Sequence, residues 1–194
     1  MNKLTTQDVF SAEEYEKKRG KIRERIIPLK KRRRIAVGDL VTLIFENRET
    51  VLFQVQEMIR TERIVSSEKI QEELDVYNAL LPETGELSAT LFIEITDSEK
   101  IQKILDSLLD IDRPDTVALT VGEEKVFGVF EAGHSKEDKI SAVHFLRFPT
   151  TPAFRAHLTH PRLPAFVTIT HPAYRAEALV SDAMREEWLK DLHP

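Results

Sequence analysis

The chain has 194 residues, 41% of them apolar and ten of them Phe, which is enough for a hydrophobic core and excludes wholesale disorder. It contains no cysteine, so disulfides, cysteine-ligated iron–sulfur clusters and thiol catalysis by its own residues are excluded. Its net charge of −5 hides a split: residues 17 to 34 carry eleven basic side chains against Glu24 alone, a local +10, which leaves −15 on everything else. A segment so opposed to its own body either folds back onto it or is offered to an anionic partner.

Ser11 followed by Glu13 and Glu14 reads as a helix N-cap with acids in the first turn, where the helix dipole favours them. A long helix is expected from about residue 12, with a kink or break near Ile27 because Pro28 removes a donor, and a basic tail to Arg34. Residues 35–45 are β-branched and read as a strand interrupted or entered at Gly38-Asp39. From Glu46 the period changes: Val51, Leu52, Val55, Met58 and Ile59 share one helical face, with Asn47 as N-cap. Ser66 or Ser67 caps a further helix to about Leu81, closed by Pro82 and Gly85. Leu87 to Ile95 reads as a strand, and Asp97 caps an amphipathic helix with Ile101, Ile104, Leu105, Leu108 and Leu109 inward.

Residues 115–148 read as a β meander: a strand at Val117–Val121, a tight turn at Gly122, a return strand at Lys125–Glu131, a polar loop around Gly133 and His134, and a strand at Ser141–Phe148. Pro149, Pro152, Pro161 and Pro164 punctuate an irregular region. Ala165–Thr170 is a short strand, and Pro172 reads as the first-turn proline of a final helix to about Leu192. The expected organisation is a helical basic arm over residues 1–34 and a single α+β domain over 35–194. That domain has about five helices packed on a mainly antiparallel sheet of about six strands. No apolar run approaches the roughly 20 residues of a membrane span, and the N-terminus lacks the apolar core of a signal peptide, so no membrane association and a cytoplasmic location are expected.

The run from Phe45 through Glu62, with Glu46-Asn47-Arg48-Glu49 and Phe53-Gln54-Val55-Gln56-Glu57, is distinctive. With Arg32-Arg33-Arg34 and Gly38, Ser141-Ala142-Val143-His144-Phe145-Leu146-Arg147-Phe148, and His171-Pro172-Ala173-Tyr174, it resembles a bacterial family defined as a domain of unknown function, with members of about this length. Genes of such families often lie beside rubrerythrin-like and iron–sulfur oxidoreductase genes. The resemblance therefore implies an accessory role in redox metabolism and an acidic redox enzyme as partner.

Three groups of residues are candidate sites. Glu46, Thr50, Gln54, Glu57 and Thr61 fall near one stripe of the helix after Phe45, with Arg60 alongside; this reads as a solvated or self-paired face. The alternative is a polar, ligand-binding pocket of Gln54, Glu57 and Arg60, in which Glu57 acts as a general base if burial raises its pKa. Arg48, Arg60 and Glu62 read as structural ion pairs. His157 and His160, three apart, with His171 eleven further on, are the weak candidates for a metal, against which Pro161 and the absence of a following Glu both count. His134 and His144 read as surface or loop histidines. The third group is Lys30, Lys31, Arg32, Arg33 and Arg34, a cationic surface for an acidic protein partner or, as a lesser alternative, for nucleic acid. No glycine-rich phosphate loop or Gly-x-Ser-x-Gly elbow is present, and no cofactor is expected. Gly128, between Phe127 and Val129, reads as a site of close backbone packing. The function expected is that of an accessory protein docking an acidic partner, with an enzyme or ligand-binding domain as the rival.

Overall fold

A computed structural model describes residues 2–131, 135–136 and 139–192; Gly133 and His134, in the expected polar loop, lie outside the described residues. Ser11 does cap the first helix: its hydroxyl accepts from Glu14 N, and α1 (Ala12–Arg32) follows. Contrary to the expected break, α1 is a single helix that contains Pro28. Proline removes one donor from a helix of 21 residues whose Tyr15, Ile26 and Leu29 are held by burial, and that packing outweighs the missing bond.

The β-rich stretch after it is a hairpin and not one strand. β1 (Arg34–Val37) and β2 (Val41–Glu46) pair antiparallel across a turn at Gly38, whose φ of 70° suits a residue without Cβ. Then come α2 (Arg48–Thr61), capped by Asn47 as expected, and α3 (Ser67–Asn78), with Ser66 at the N-cap position but its hydroxyl not bonded to the first turn. β3 (Glu86–Ile93) leads to a short 3₁₀ turn capped by Asp97 and to α4 (Ile101–Ser107). α4 is shorter than its apolar pattern suggests: Leu108 is buried just beyond its end, and Ile101 is exposed.

β4 (Val117–Val121) and β5 (Glu124–Phe127) form the expected hairpin. The rest of the expected meander is divided: β6 (Val129–Phe130) pairs with β9 (Val143–Pro149) in another sheet, and β7 (Ser135–Lys136) and β8 (Lys139–Ile140) pair with each other. The proline-rich stretch is not wholly irregular. Thr151 caps α5 (Pro152–Leu158), with Pro152 in the first turn, where its missing donor costs nothing. Pro172 starts no helix. It sits in a two-residue turn between β10 (Ala165–His171) and β11 (Tyr174–Leu179), and the last helix, α6 (Asp182–Leu192), begins ten residues later than the proline.

The architecture is mixed α+β, with six α-helices among the described residues. The strands divide between two antiparallel sheets, of order β1-β2-β3-β9-β6 and β11-β10-β4-β5, with β7 and β8 as a separate hairpin. Alternation along each strand sends Leu43, Phe45, Leu87, Leu91 and Phe148 from the first sheet, and Val117, Leu119, Val167 and Ile169 from the second, into one shared core. Trp188 of α6 is fully buried there, its ring centroid 4.6 Å from that of Phe45. The chain crosses between sheets at Gly128, where a Cβ would meet Leu146 Cδ1 at 2.8 Å, so the close packing expected of this glycine is present. On the other face of the five-stranded sheet a second cluster gathers Val51, Val55 and Ile59 of α2, Leu74 of α3, and Leu4 from the N-terminal segment. Among the described residues no helix is long and apolar enough to cross a membrane.

Candidate docking site between the first two helices

The basic segment does not stand clear of the protein. α1 lies against α2, and its charges meet acids of the chain along much of its length. Arg19 donates to Glu57 from Nε at 2.7 Å and from Nη2 at 2.9 Å, and Tyr15 Oη donates to the same carboxylate at 2.7 Å. Arg60 approaches Glu57 at 3.5 Å from its own helix. The Arg19 hydrogen bond, with help from Tyr15 and against the cost of burial, lowers the Glu57 carboxyl to about 2. Burial, and then the Glu57 bond, push the Tyr15 phenol up. A raised pKa was the condition for Glu57 as a general base, and the shift runs the other way: it is an ionised anchor between two helices. Gln54 stands one turn away with its Nε2 buried and unbonded.

Of the rest of the stripe, Thr61 is exposed and the remainder is self-paired. Glu46 and Thr50 are buried; the Thr50 hydroxyl donates to Glu46 Oε2 at 2.5 Å and the Thr90 hydroxyl to Oε1 at 3.0 Å. Arg48 and Arg60 form the ion pairs expected of them, Arg48 with Asp8 at 2.7 Å.

At the other end of α1, Arg33 is 1% exposed and belongs to the interior, not to a docking surface. Its guanidinium donates to Asp191 at 2.8 and 2.9 Å, to Glu187 at 3.1 Å and to Phe45 O at 3.3 Å. Burial raises the Asp191 carboxyl against the pull of Arg33. Burial also acts upward on Glu187, but Lys190, Arg33 and Arg32 together hold it below the usual carboxylate range. Arg32 reaches Glu187 at 3.2 Å, and Arg34 reaches Glu94 at 2.7 Å. Of the five cations from residue 30 to 34, only Lys30, half-buried, and Lys31, exposed, make no ion pair described here.

Of the three metal candidates, His157 and His171 make structural contacts and His160 is exposed. His171 Nε2 lies 2.8 Å from Leu109 O and its Nδ1 accepts from Ala173 N, so both ring nitrogens are engaged in holding the β10–β11 turn. His157 Nδ1 faces Val121 O at 3.4 Å. His144 is a correction: it is buried on β9 with Nε2 2.7 Å from Ser141 O, not a surface or loop residue. No group of three metal-ligating side chains occurs among the described residues.

What α1 and α2 do enclose is a groove of about 410 Å³ with almost wholly apolar walls, including Phe10, Ile22, Ile26, Leu52 and Phe53. Lys18, Lys21 and Arg25, spaced three and four apart along one edge of α1, rim it. Lys18 Nζ sits 3.9 Å from the Phe10 ring centroid, and Arg25 makes only an exposed pair with Glu49 at 3.3 Å. Gln56 closes one end: its carboxamide accepts from Phe10 N at 2.9 Å and donates to Phe10 O at 3.0 Å. Sequence reasoning found the charge of these residues but not the groove. The available signal was the apolar spacing of Ile22, Ile26 and Leu29 along the otherwise basic helix.

A solved structure matches closely: a protein of unknown function from Burkholderia pseudomallei K96243 is 33% identical, with 98% of this chain and 100% of that chain covered and a TM-score of 0.90. No functionally curated protein matches. The matching family model spans residues 3–192, and the chain belongs to the family described as protein of unknown function DUF3501.

Proposed function

We propose that this protein is an accessory protein that docks an acidic partner protein in the groove between α1 and α2. The observation that carries the reading is the apolar groove edged by Lys18, Lys21 and Arg25. An apolar floor supplies affinity, and a row of cations along one edge sets the partner's sign and orientation and speeds encounter. The docking face thus lies N-terminal to the Lys30–Arg34 cluster, three of whose members bond acids of the chain itself. The same engagement of Arg32, Arg33 and Arg34 weakens the nucleic-acid reading, which rested on the basic arm and its Lys30–Arg34 cluster. The enzyme reading is not favoured, because Glu57 is held ionised by Arg19 and Tyr15. An acidic redox enzyme is the class of partner that the family resemblance implies.

The test is a photo-crosslinking residue at Leu52, in the groove, and as a control at Val76, exposed on α3, in cells of the source organism. One acidic protein is expected to cross-link at Leu52 only, and to be lost in Lys18→Glu/Lys21→Glu. Identical cross-link profiles from the two positions would remove the proposal.

A further inference from the structure

The groove between α1 and α2 offers nothing for an extended chain to bond to. Both long walls are helices, whose backbone groups are spent within each helix, and the surface between them is almost wholly apolar. Gln56, buried at the closed end, already uses its carboxamide on the N–H and C=O of Phe10. A strand laid along this floor would leave N–H and C=O groups unpaired against carbon. A helix brings its own backbone bonds and presents only side chains. The shape agrees. Arg19 meets Glu57 and Arg25 meets Glu49, so α1 and α2 run antiparallel, and the trough between two such helices is where a third packs in a bundle. From Tyr15 to Ile26 the groove follows α1 for about 16 Å, the length of a three-turn helix.

We infer that the partner's element seated in the groove is an amphipathic α-helix of about three turns. Its apolar face, repeating at i, i+3 or i+4 and i+7, lies on Ile22, Ile26, Leu52 and Phe53. Its acids, repeating at three and four, run along the flank that faces Lys18, Lys21 and Arg25. The inference rests on the docking reading above and names the element recognised. The cations are available to it: all three are exposed, and neither Lys18 nor Lys21 pairs with an acid among the described residues. Glu49 stands on the α2 wall, so the occupant's acids belong on the flank toward α1 and not on the one toward α2. The spacing of the cations is that of a helix edge, and a partner helix repeats at the same rise, so several pairs form in one register.

The probe is a fluorescently labelled, end-capped peptide of about fourteen residues, with leucines along one face and glutamates on one flank at those spacings. It is titrated into the full-length protein by anisotropy, and saturable binding with a gain in peptide helicity by difference circular dichroism is expected. Lys18→Glu/Lys21→Glu, at two exposed positions, weakens binding about ten-fold or more, and so does Gln in place of every Glu in the peptide. A proline in the middle of the peptide's solvent-facing side abolishes binding, because it touches no wall and breaks only the helix. Binding unchanged by the proline, or equal in wild type and a folded double variant, overturns the inference. Should the double variant not fold, the glutamine peptide decides: affinity equal to that of the glutamate peptide overturns it. Absence of peptide binding with one acidic protein still cross-linked at Leu52 removes this inference alone. Peptide binding with identical cross-link profiles at Leu52 and Val76 removes the docking reading instead.

Discussion

Arg33 and Asp191, 158 positions apart, meet as a two-point ion pair at 2.8 and 2.9 Å in the interior, one at the end of the first long helix and the other in the last. The pair ties the C-terminal end of α1 to α6 beside Phe45, whose carbonyl accepts from Arg33 and whose ring packs on Trp188. It also converts part of a basic run into internal structure, since an arginine fork matches a carboxylate in two hydrogen bonds.

Removing one member leaves the other charge buried. Arg33→Met is expected to cost about 3–5 kcal/mol in urea unfolding. Asp191→Leu in the same chain should restore a large part of that loss, because Glu187 keeps Arg32 at 3.2 Å and Lys190 at 3.1 Å. Additive losses in the double-mutant cycle would show that the two residues act independently.

Much of the secondary structure is legible in the sequence because it depends on local patterns. The Asn47 cap with the 51–52–55–58–59 face locates α2, and Gly122 between two apolar runs locates the β4–β5 hairpin. What is not legible depends on partners far along the chain. Pro172 suits a helix start and a hairpin turn alike; pairing of Thr170 with Arg175 decides for the turn, although the alternation from Tyr174 to Leu179 was its local trace. Nothing in five consecutive cations tells which one enters the core. The acids that select Arg33 lie on α6, and the burial of His144 likewise follows from which face of β9 meets the other sheet. The groove is a property of two helices together, so neither helix pattern alone contains it.

The Glu57 anchor gives a pH signature. Its carboxyl is lowered from 4.5 to about 2 in the folded protein, so the folded state holds fewer protons than the unfolded one in that window. The stabilisation is present above about pH 4.5 and is lost as the pH falls toward 2. Urea midpoints measured against pH should therefore show wild type above Glu57→Gln by a constant margin near neutrality, with the two curves converging below about pH 4.5. A margin that persists at pH 2 would mean that Glu57 acts by packing and not by charge.

Gly20 lies in the interior of α1 with no atom within 4 Å of where a Cβ would stand. Alanine there meets nothing and loses less backbone freedom on folding, so Gly20→Ala should stabilise the protein by about 0.5–1 kcal/mol. A higher urea midpoint with an unchanged slope is the expected result. A destabilised variant would show that the backbone at Gly20 is packed more tightly than the structure describes.

Tyr174 closes the seam between the two sheets. Its hydroxyl donates to Val37 O at 2.6 Å and accepts from Leu40 N at 3.1 Å, gripping both sides of the β1–β2 turn from β11. Tyr174→Phe keeps the ring and removes both bonds, leaving a carbonyl and an amide without their partner, and is expected to cost about 1–3 kcal/mol. Gly38→Ala attacks the same seam twice, through the φ of 70° and through a Cβ directed at the Tyr174 hydroxyl and 2.9 Å from the Ala176 Cβ. It should therefore lose more than Tyr174→Phe. If strain at the turn and contact with Tyr174 are separable, Gly38→Ala/Tyr174→Phe recovers nothing. If the contact dominates, the double variant is less destabilised than the sum of the two single losses, because the phenyl ring no longer carries the oxygen that the new methyl meets.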